Sequence, residues 1–382
     1  MEREIYLDNA ATTRAYPEVT AAVVDALENN YANPSSLHSF GFKSEKIIKK
    51  SRKITAEYLG VSPEELIFTS GGTESNNLAI RGITQAYKNR GRHLITSPIE
   101  HSSVAELFKA LEKEGWQVDR VRVDQEGHVD LEHLKSLISE ETILVSIMQV
   151  NNELGTIQPL EKIAEIIKEE NPLSFFHVDG VQAFGKVYSN LNEWTVDLYS
   201  ISGHKVHGPK GIGALYIKKG INLKPLIYGG GQERNLRSGT ENVPAIAGLA
   251  EAVKKLPDLT AEELFDQKLI ELRNYLLKSL TKIEEIEINS PASGAPHIIN
   301  FSVPGVKGET MLHALESQGI YISTGSACSS KKKGSRIINA CGLSEARSES
   351  ALRVSLDKKI KETDLDYFIK TLKEQIEFLK LF

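Results

Sequence analysis

The chain has 382 residues, 40% of them apolar, with 28 glycines. A chain of this size buries about three quarters of its surface, which excludes a disordered segment, a disulfide-stapled miniprotein and a collagen-like fibre. The 46 Lys and Arg against 51 Asp and Glu leave a net charge of −5, with no basic footprint for nucleic acid. Two cysteines, Cys328 and Cys341, make no disulfide framework and point to a reducing compartment. The acidic start at Glu2 is not a secretory signal, and no apolar run reaches the ~18 residues of a membrane helix. The expectation is a cytoplasmic protein with no membrane contact.

In chain order, residues 66–69 read as a short strand, followed by a glycine turn and a helix to about residue 90. Strands follow at 93–96, 118–123, 143–148, 175–178, 198–201 and 213–217. Helical patterns at 104–113, 131–138 and 160–170 separate the earlier ones. This alternation predicts an α/β fold with a mostly parallel sheet between helices. Near Pro257 the texture changes. A charged helix is expected over 260–282, then strands at 287–289 and 298–303, and helices near 309–318 and 361–380. The last carries one apolar stripe of Leu365, Phe368, Ile369, Leu372, Ile376 and Leu379. The predicted boundaries are a large domain over 15–257 and a smaller α+β domain from 1–14 and 258–382.

Several chemistries are missing. There is no Walker A loop, HExxH or GxGxxG, and no metal site is expected; His207 is read as structural or solvated. Three weak signals remain. Ser70-Gly71-Gly72-Thr73 stands where a strand hands over to a helix, which suits an anion but equally suits a capped turn with nothing bound. Asp179 ends a buried strand, where open α/β sheets place ligands, yet a lone Asp there is also an ordinary turn residue. Lys205 follows another strand end and can form a Schiff base only if its amine is made neutral; alone, it is an exposed turn lysine. Together they are sharper. A phosphate cradle, a buried acid and a Schiff-base lysine on successive strand ends are what pyridoxal 5′-phosphate requires. Ser202 and His204 add phosphate donors, and His101, read as ending the next strand, can cover the ring.

The order of motifs resembles the cysteine desulfurases of the NifS/IscS type, pyridoxal-phosphate enzymes of fold type I. The resemblance runs through Tyr6–Thr13, Asn33–His38, Thr69–Asn77, Glu100-His101, Asn151–Gly155, His177–Asp179, Ser202–Lys205, Gly229–Arg234, Arg237–Thr240, Thr324–Ser330 and Leu352–Ser355. It implies a seven-stranded sheet in the large domain. It implies that Lys205 holds the cofactor aldehyde, Asp179 pairs with the ring nitrogen, Gln182 bonds the ring hydroxyl, and His101 stacks and handles protons. Gly72, Thr73, Ser202 and His204 would hold the phosphate, with Asn152 also against the cofactor. Asn152 and Arg353 would bind the carboxylate of L-cysteine, and Cys328 would be the nucleophile. A homodimer is implied, with Thr240 reaching the partner's cofactor, as is a protein sulfur acceptor or iron–sulfur scaffold.

Cys328 lies in a run of small polar residues, which reads as an exposed, mobile loop suited to carrying sulfur. Lys331, Lys332 and Lys333 lower the thiol pKa, dock an acidic acceptor, or are simply solvated. Cys341, among Ile337, Ile338 and Ala340, reads as packing. From Cys328 to Arg353 is 25 positions, one fewer than in the best-known housekeeping members, so acceptor specificity is not carried over. The rival readings are a selenocysteine lyase, another aminotransferase-like enzyme, or a silent sulfur-transfer scaffold.

Overall fold

The computed structural model describes residues 4–324 and 334–381. The chain opens with β1 (Ile5–Tyr6), α1 (Pro17–Glu28), α2 (Ser39–Tyr58), β2 (Leu66–Thr69) and α3 (Gly72–Tyr87). It continues through β3 (His93–Thr96), α4 (Ser102–Lys113), β4 (Gln117–Arg120), α5 (Leu131–Leu137), β5 (Thr142–Ser146) and α6 (Leu160–Glu170). Then come β6 (Phe175–Asp179), β7 (Leu198–Ser202), β8 (Gly213–Ile217) and α7 (Val243–Val253). These elements build a seven-stranded sheet in the order β2-β8-β7-β6-β5-β3-β4. β8 runs antiparallel to both neighbours, and the other pairings are parallel. The fold is therefore α/β, as expected. Both faces of the sheet are covered, and alternation along one strand shows it. Leu66 and Phe68 enter the core shared with α5, α6 and α7, whereas Ile67 enters the one shared with α3 and α4.

The remaining chain forms α8 (Gln267–Leu280), β9 (Glu287–Ile288), β10 (Ile298–Ser302), α9 (Gly308–Glu316), β11 (Ile320–Tyr321), α10 (Arg336–Ala340), α11 (Glu345–Ser350), β12 (Ala351–Ser355) and α12 (Glu362–Leu379). β12-β10-β9 is an antiparallel sheet, and β1 pairs in parallel with β11. The N-terminal residues thus join the C-terminal elements. Leu7 shares a core with Leu272, Leu276, Phe301, Leu352, Phe368 and Leu372.

Two expectations are corrected, and one helix is added. The helix placed at 260–282 begins only at Gln267, because the Asp266 carboxylate accepts from the Lys268 N–H at 3.0 Å and caps it there. The strand at 118–123 ends at Arg120, and Val123 instead bridges Val129 across a turn. Helix α2 was not anticipated. Four of its buried positions are Gly41, Ser44, Ser51 and Thr55, so its inner face carries little of the apolar periodicity that reveals a helix.

The turn after β6 is tightly constrained. A Cβ at Gly180 would lie 2.0 Å from Tyr199 Cζ and 2.3 Å from its Oη. The buried Tyr199 ring is held by a 2.7 Å bond from Oη to Gln149 Oε1. Gly180→Ala is expected to cost about 1–3 kcal/mol of stability, read as a lower urea midpoint, and to displace the adjacent Asp179.

Candidate active site

β2, β7, β6 and β3 point the same way, so their C-terminal ends line one edge of the sheet. Lys205 closes the 3-10 turn Gly203–Lys205 directly after β7. Its Nζ donates to the carbonyl oxygens of Ala10 and Ala11, each at 2.7 Å. Burial pushes this amine down to about 8; the Arg353 cation adds to the fall, while Asp8 and Asp179 oppose it. The turn lysine is therefore neither free nor ordinary.

Asp179, at the end of β6, is 4% exposed. One oxygen accepts from Asn76 Nδ2 at 2.7 Å and the other from the Val181 N–H at 3.0 Å. His101 does not end a strand, as first expected. It follows β3 by five residues and is the N-cap of α4, its Nδ1 accepting from the Ser103 N–H at 3.2 Å. The residue is exposed, yet its pKa lies below the usual imidazole value. Desolvation by the surrounding protein is the main cause; Asp179 opposes it, and Lys205 and Arg336 add to it.

The helix α3 starts at Gly72, one residue after Gly71 at φ +149°. That angle favours glycine, and a Cβ at Gly72 would meet Val181 Cγ2 at 2.6 Å. Thr73 follows in the first turn and is exposed. Ser202 ends β7 and is buried. His204 Nδ1 lies 3.2 Å from Thr12 Oγ1, and burial, with Lys205, Lys210 and Lys186 nearby, lowers its pKa to about 4. It is thus a neutral hydrogen-bonding ring rather than a positive charge.

Arg353, on β12, is 3% exposed. Nη1 donates to the Asn152 carbonyl at 2.8 Å and Nη2 to Asp8 Oδ1 at 2.7 Å. The two residues expected at the substrate carboxylate are brought into contact across 201 positions of sequence. Gln182 Nε2 donates to Ala10 O at 2.9 Å, while its buried Oε1 has no partner among the described residues. Thr240 is exposed beyond Gly239. Cys328, its loop and Lys331–Lys333 lie outside the described residues. Cys341 is buried, and its thiol is pushed up to about 12 by burial, with Asp124 and Glu153 adding to the rise, as suits an inert packing residue. His207 is structural, bonded to Asp357 at 2.9 Å and stacked on Tyr16.

Sequence reasoning missed Asp8, Asn76 and Ser103 as site residues. Asp8 and Asn76 stood inside quoted motifs, but nothing local links Asp8 to a strand 345 residues away.

The donor set fits pyridoxal 5′-phosphate. Asp179 is a buried acceptor that could face a ring N–H, Lys205 is an amine of lowered basicity, and Gln182 Oε1 is an acceptor with no donor among the described residues. The α3 start and Ser202 would hold the phosphate. A model of the aminotransferase class-V family matches residues 5–368. This chain belongs to that family. Within it, the chain belongs with the cysteine desulfurases, whose cofactor is pyridoxal 5′-phosphate. It is 42% identical to a Clostridium botulinum protein named cysteine desulfurase IscS, over 99% of this chain and 95% of the relative. It is 46% identical to a NifS/IcsS protein homolog of Lactobacillus delbrueckii subsp. bulgaricus, over 97% and 96%. A solved structure described as a NIFS-like protein superposes with a TM-score of 0.92 at 40% identity, covering 98% of this chain and 100% of that one. Another, described as SspA in complex with cysteine, gives 0.82 at 35% identity, covering 92% and 98%.

A pKa near 8 leaves about a tenth of the Lys205 amine unprotonated at pH 7, against under a thousandth for a lysine in water. Reductive methylation of the cofactor-free protein with formaldehyde, read by peptide mass mapping, should therefore modify Lys205 with a midpoint near pH 8. Below that midpoint its rate falls about tenfold per pH unit. Surface lysines should keep rising well above it.

Proposed function

We propose that this protein converts L-cysteine to L-alanine and holds the released sulfur as a persulfide on Cys328. The substrate C–S bond breaks and an S–S bond forms on Cys328. The carbon keeps the electron pair and takes a proton. The bound cofactor supplies an electron sink that makes bonds at the substrate α-carbon breakable. The Lys205 amine, half unprotonated near pH 8, holds the cofactor aldehyde and moves protons beside it. Asp179 accepts the ring N–H, and His101 covers the ring and handles a proton. Arg353 and Asn152 hold the substrate carboxylate, for which a planar guanidinium suits two parallel hydrogen bonds.

One observation supports this reading: Arg353 Nη1, on β12, donates to the Asn152 carbonyl at 2.8 Å, which puts a guanidinium beside the loop after β5 and in the field of Lys205. In the same reading, residues 15–257 form the cofactor-binding domain, and 1–14 with 258–382 form the smaller one. Two subunits associate, and Thr240 of each reaches the other's cofactor phosphate. The exposed side chains of Tyr31, Leu37, Phe40, Ile227 and Tyr228 support such an interface. The persulfide passes to a protein acceptor, for iron–sulfur cluster assembly or tRNA thiolation, in the cytoplasm.

The test compares wild type with Cys328→Ala on L-cysteine, quantifying alanine and persulfide while following the visible cofactor band. Wild type should form both in equal amounts. The variant should keep the band and form neither. A variant that turns over cysteine as fast as wild type overturns the assignment. Arg353→Lys keeps the charge and loses the fork, so its KM for cysteine should rise about tenfold or more.

A further inference from the structure

We propose that Ser103 and Asn76 are positioning residues that lock His101 as a neutral imidazole with its proton on Nε2. The backbone supplies the first constraint. The Ser103 N–H points at His101 Nδ1 across 3.2 Å, so Nδ1 presents a lone pair. Side chains supply the second. The Asp179 carboxylate only accepts, so the amide nitrogen of Asn76 faces it at 2.7 Å. The same Nδ2 lies 2.9 Å from Ser103 Oγ and gives its other hydrogen there. Ser103 Oγ then turns its own hydrogen to His101 Nδ1, 2.9 Å away. Asn76 is 1% exposed, so water does not compete for its bond to Asp179.

A proton on Nδ1 would face the Ser103 backbone N–H, which can only donate. It would also sit at the N-terminus of the 12-residue helix α4, where positive charge is disfavoured. Other charges face the ring. Asp179 on β6 favours the cation, while Lys205 after β7 and Arg336 on α10 disfavour it. A helix N-terminus keeping a catalytic imidazole neutral is a known physical pattern. The consequence is directional: His101 gives a proton from Nε2 and recovers it there. The catalytic meaning rests on the proposed function, but the tautomer does not.

The test is nitrogen NMR of the cofactor-loaded enzyme with imidazole-labelled histidine, the His101 signals being assigned by their loss in His101→Gln. Wild type should show Nδ1 bare and Nε2 protonated across the neutral range. Ser103→Ala removes the hydroxyl donor and spares the backbone cap. The His101 titration midpoint should rise by about 0.4–1 pH unit, and the acid limb of kcat/KM should move with it. Ser103→Thr should restore both, and Asn76→Ala should shift the midpoint in the same direction as Ser103→Ala. A proton on Nδ1 at neutral pH, or an unmoved midpoint in Ser103→Ala, overturns the proposal. A midpoint that moves while the rate profile does not upholds the lock and removes His101 from proton transfer.

Discussion

Everything at the site hangs on the short strap of residues 8–13 pressed against the strand ends. The Ala10 carbonyl accepts from both Lys205 Nζ, at 2.7 Å, and Gln182 Nε2, at 2.9 Å. Asp8 holds the Arg353 guanidinium at 2.7 Å. Thr13 bonds the His204 carbonyl through both its N–H and its hydroxyl. One short turn segment therefore fixes residues from the turn after β6, the turn after β7, and β12. It is tethered in turn by β1 on β11 and by the bridge from Asp8 to Ser355. Residues far apart in sequence share a site because their backbone and side-chain donors converge on the same few carbonyls.

Charge follows from this geometry. Lys205 and Arg353 are buried cations in one another's field, with Asp8 and Asp179 as the nearby anions. Removing a charge from water disfavours its charged form, and a neighbouring cation adds to that cost. The lysine responds by losing basicity; the arginine cannot deprotonate and is satisfied instead by a carboxylate and a carbonyl. A neutral His204 and a lowered His101 belong to the same environment. The strand ends thus bring an amine, an imidazole and a carboxylate together, which is what proton traffic around a single substrate needs.

Much of this was legible in the residues. The strand at 66–69, the glycine turn and Lys205 after a buried strand all carry local signals of composition and period, and each stands where it was read. The stripe on α12 is buried at Leu365, Phe368, Leu372 and Ile376. The misses have physical causes. α2 buries small polar side chains, so its inner face does not read as apolar. Asp266 stops a helix that the charge pattern would extend, because one short side-chain bond outweighs propensity there. His101 was placed at a strand end, whereas the turn after β3 runs on to make it a helix cap.

The sequence by itself determined the chemistry available: which acid, amine, ring and guanidinium exist, and that the acid and the amine stand at the ends of buried strands. Hydrophobic periodicity and turn residues act over a few positions, and a chain carries them openly. Only the tertiary structure decided that Arg353 meets Asn152 and Asp8, that Lys205 is desolvated, and that Asn76 and Ser103 join Asp179 to His101. Hydrogen-bond direction and burial depend on what arrives from hundreds of residues away, and no local pattern encodes that arrival.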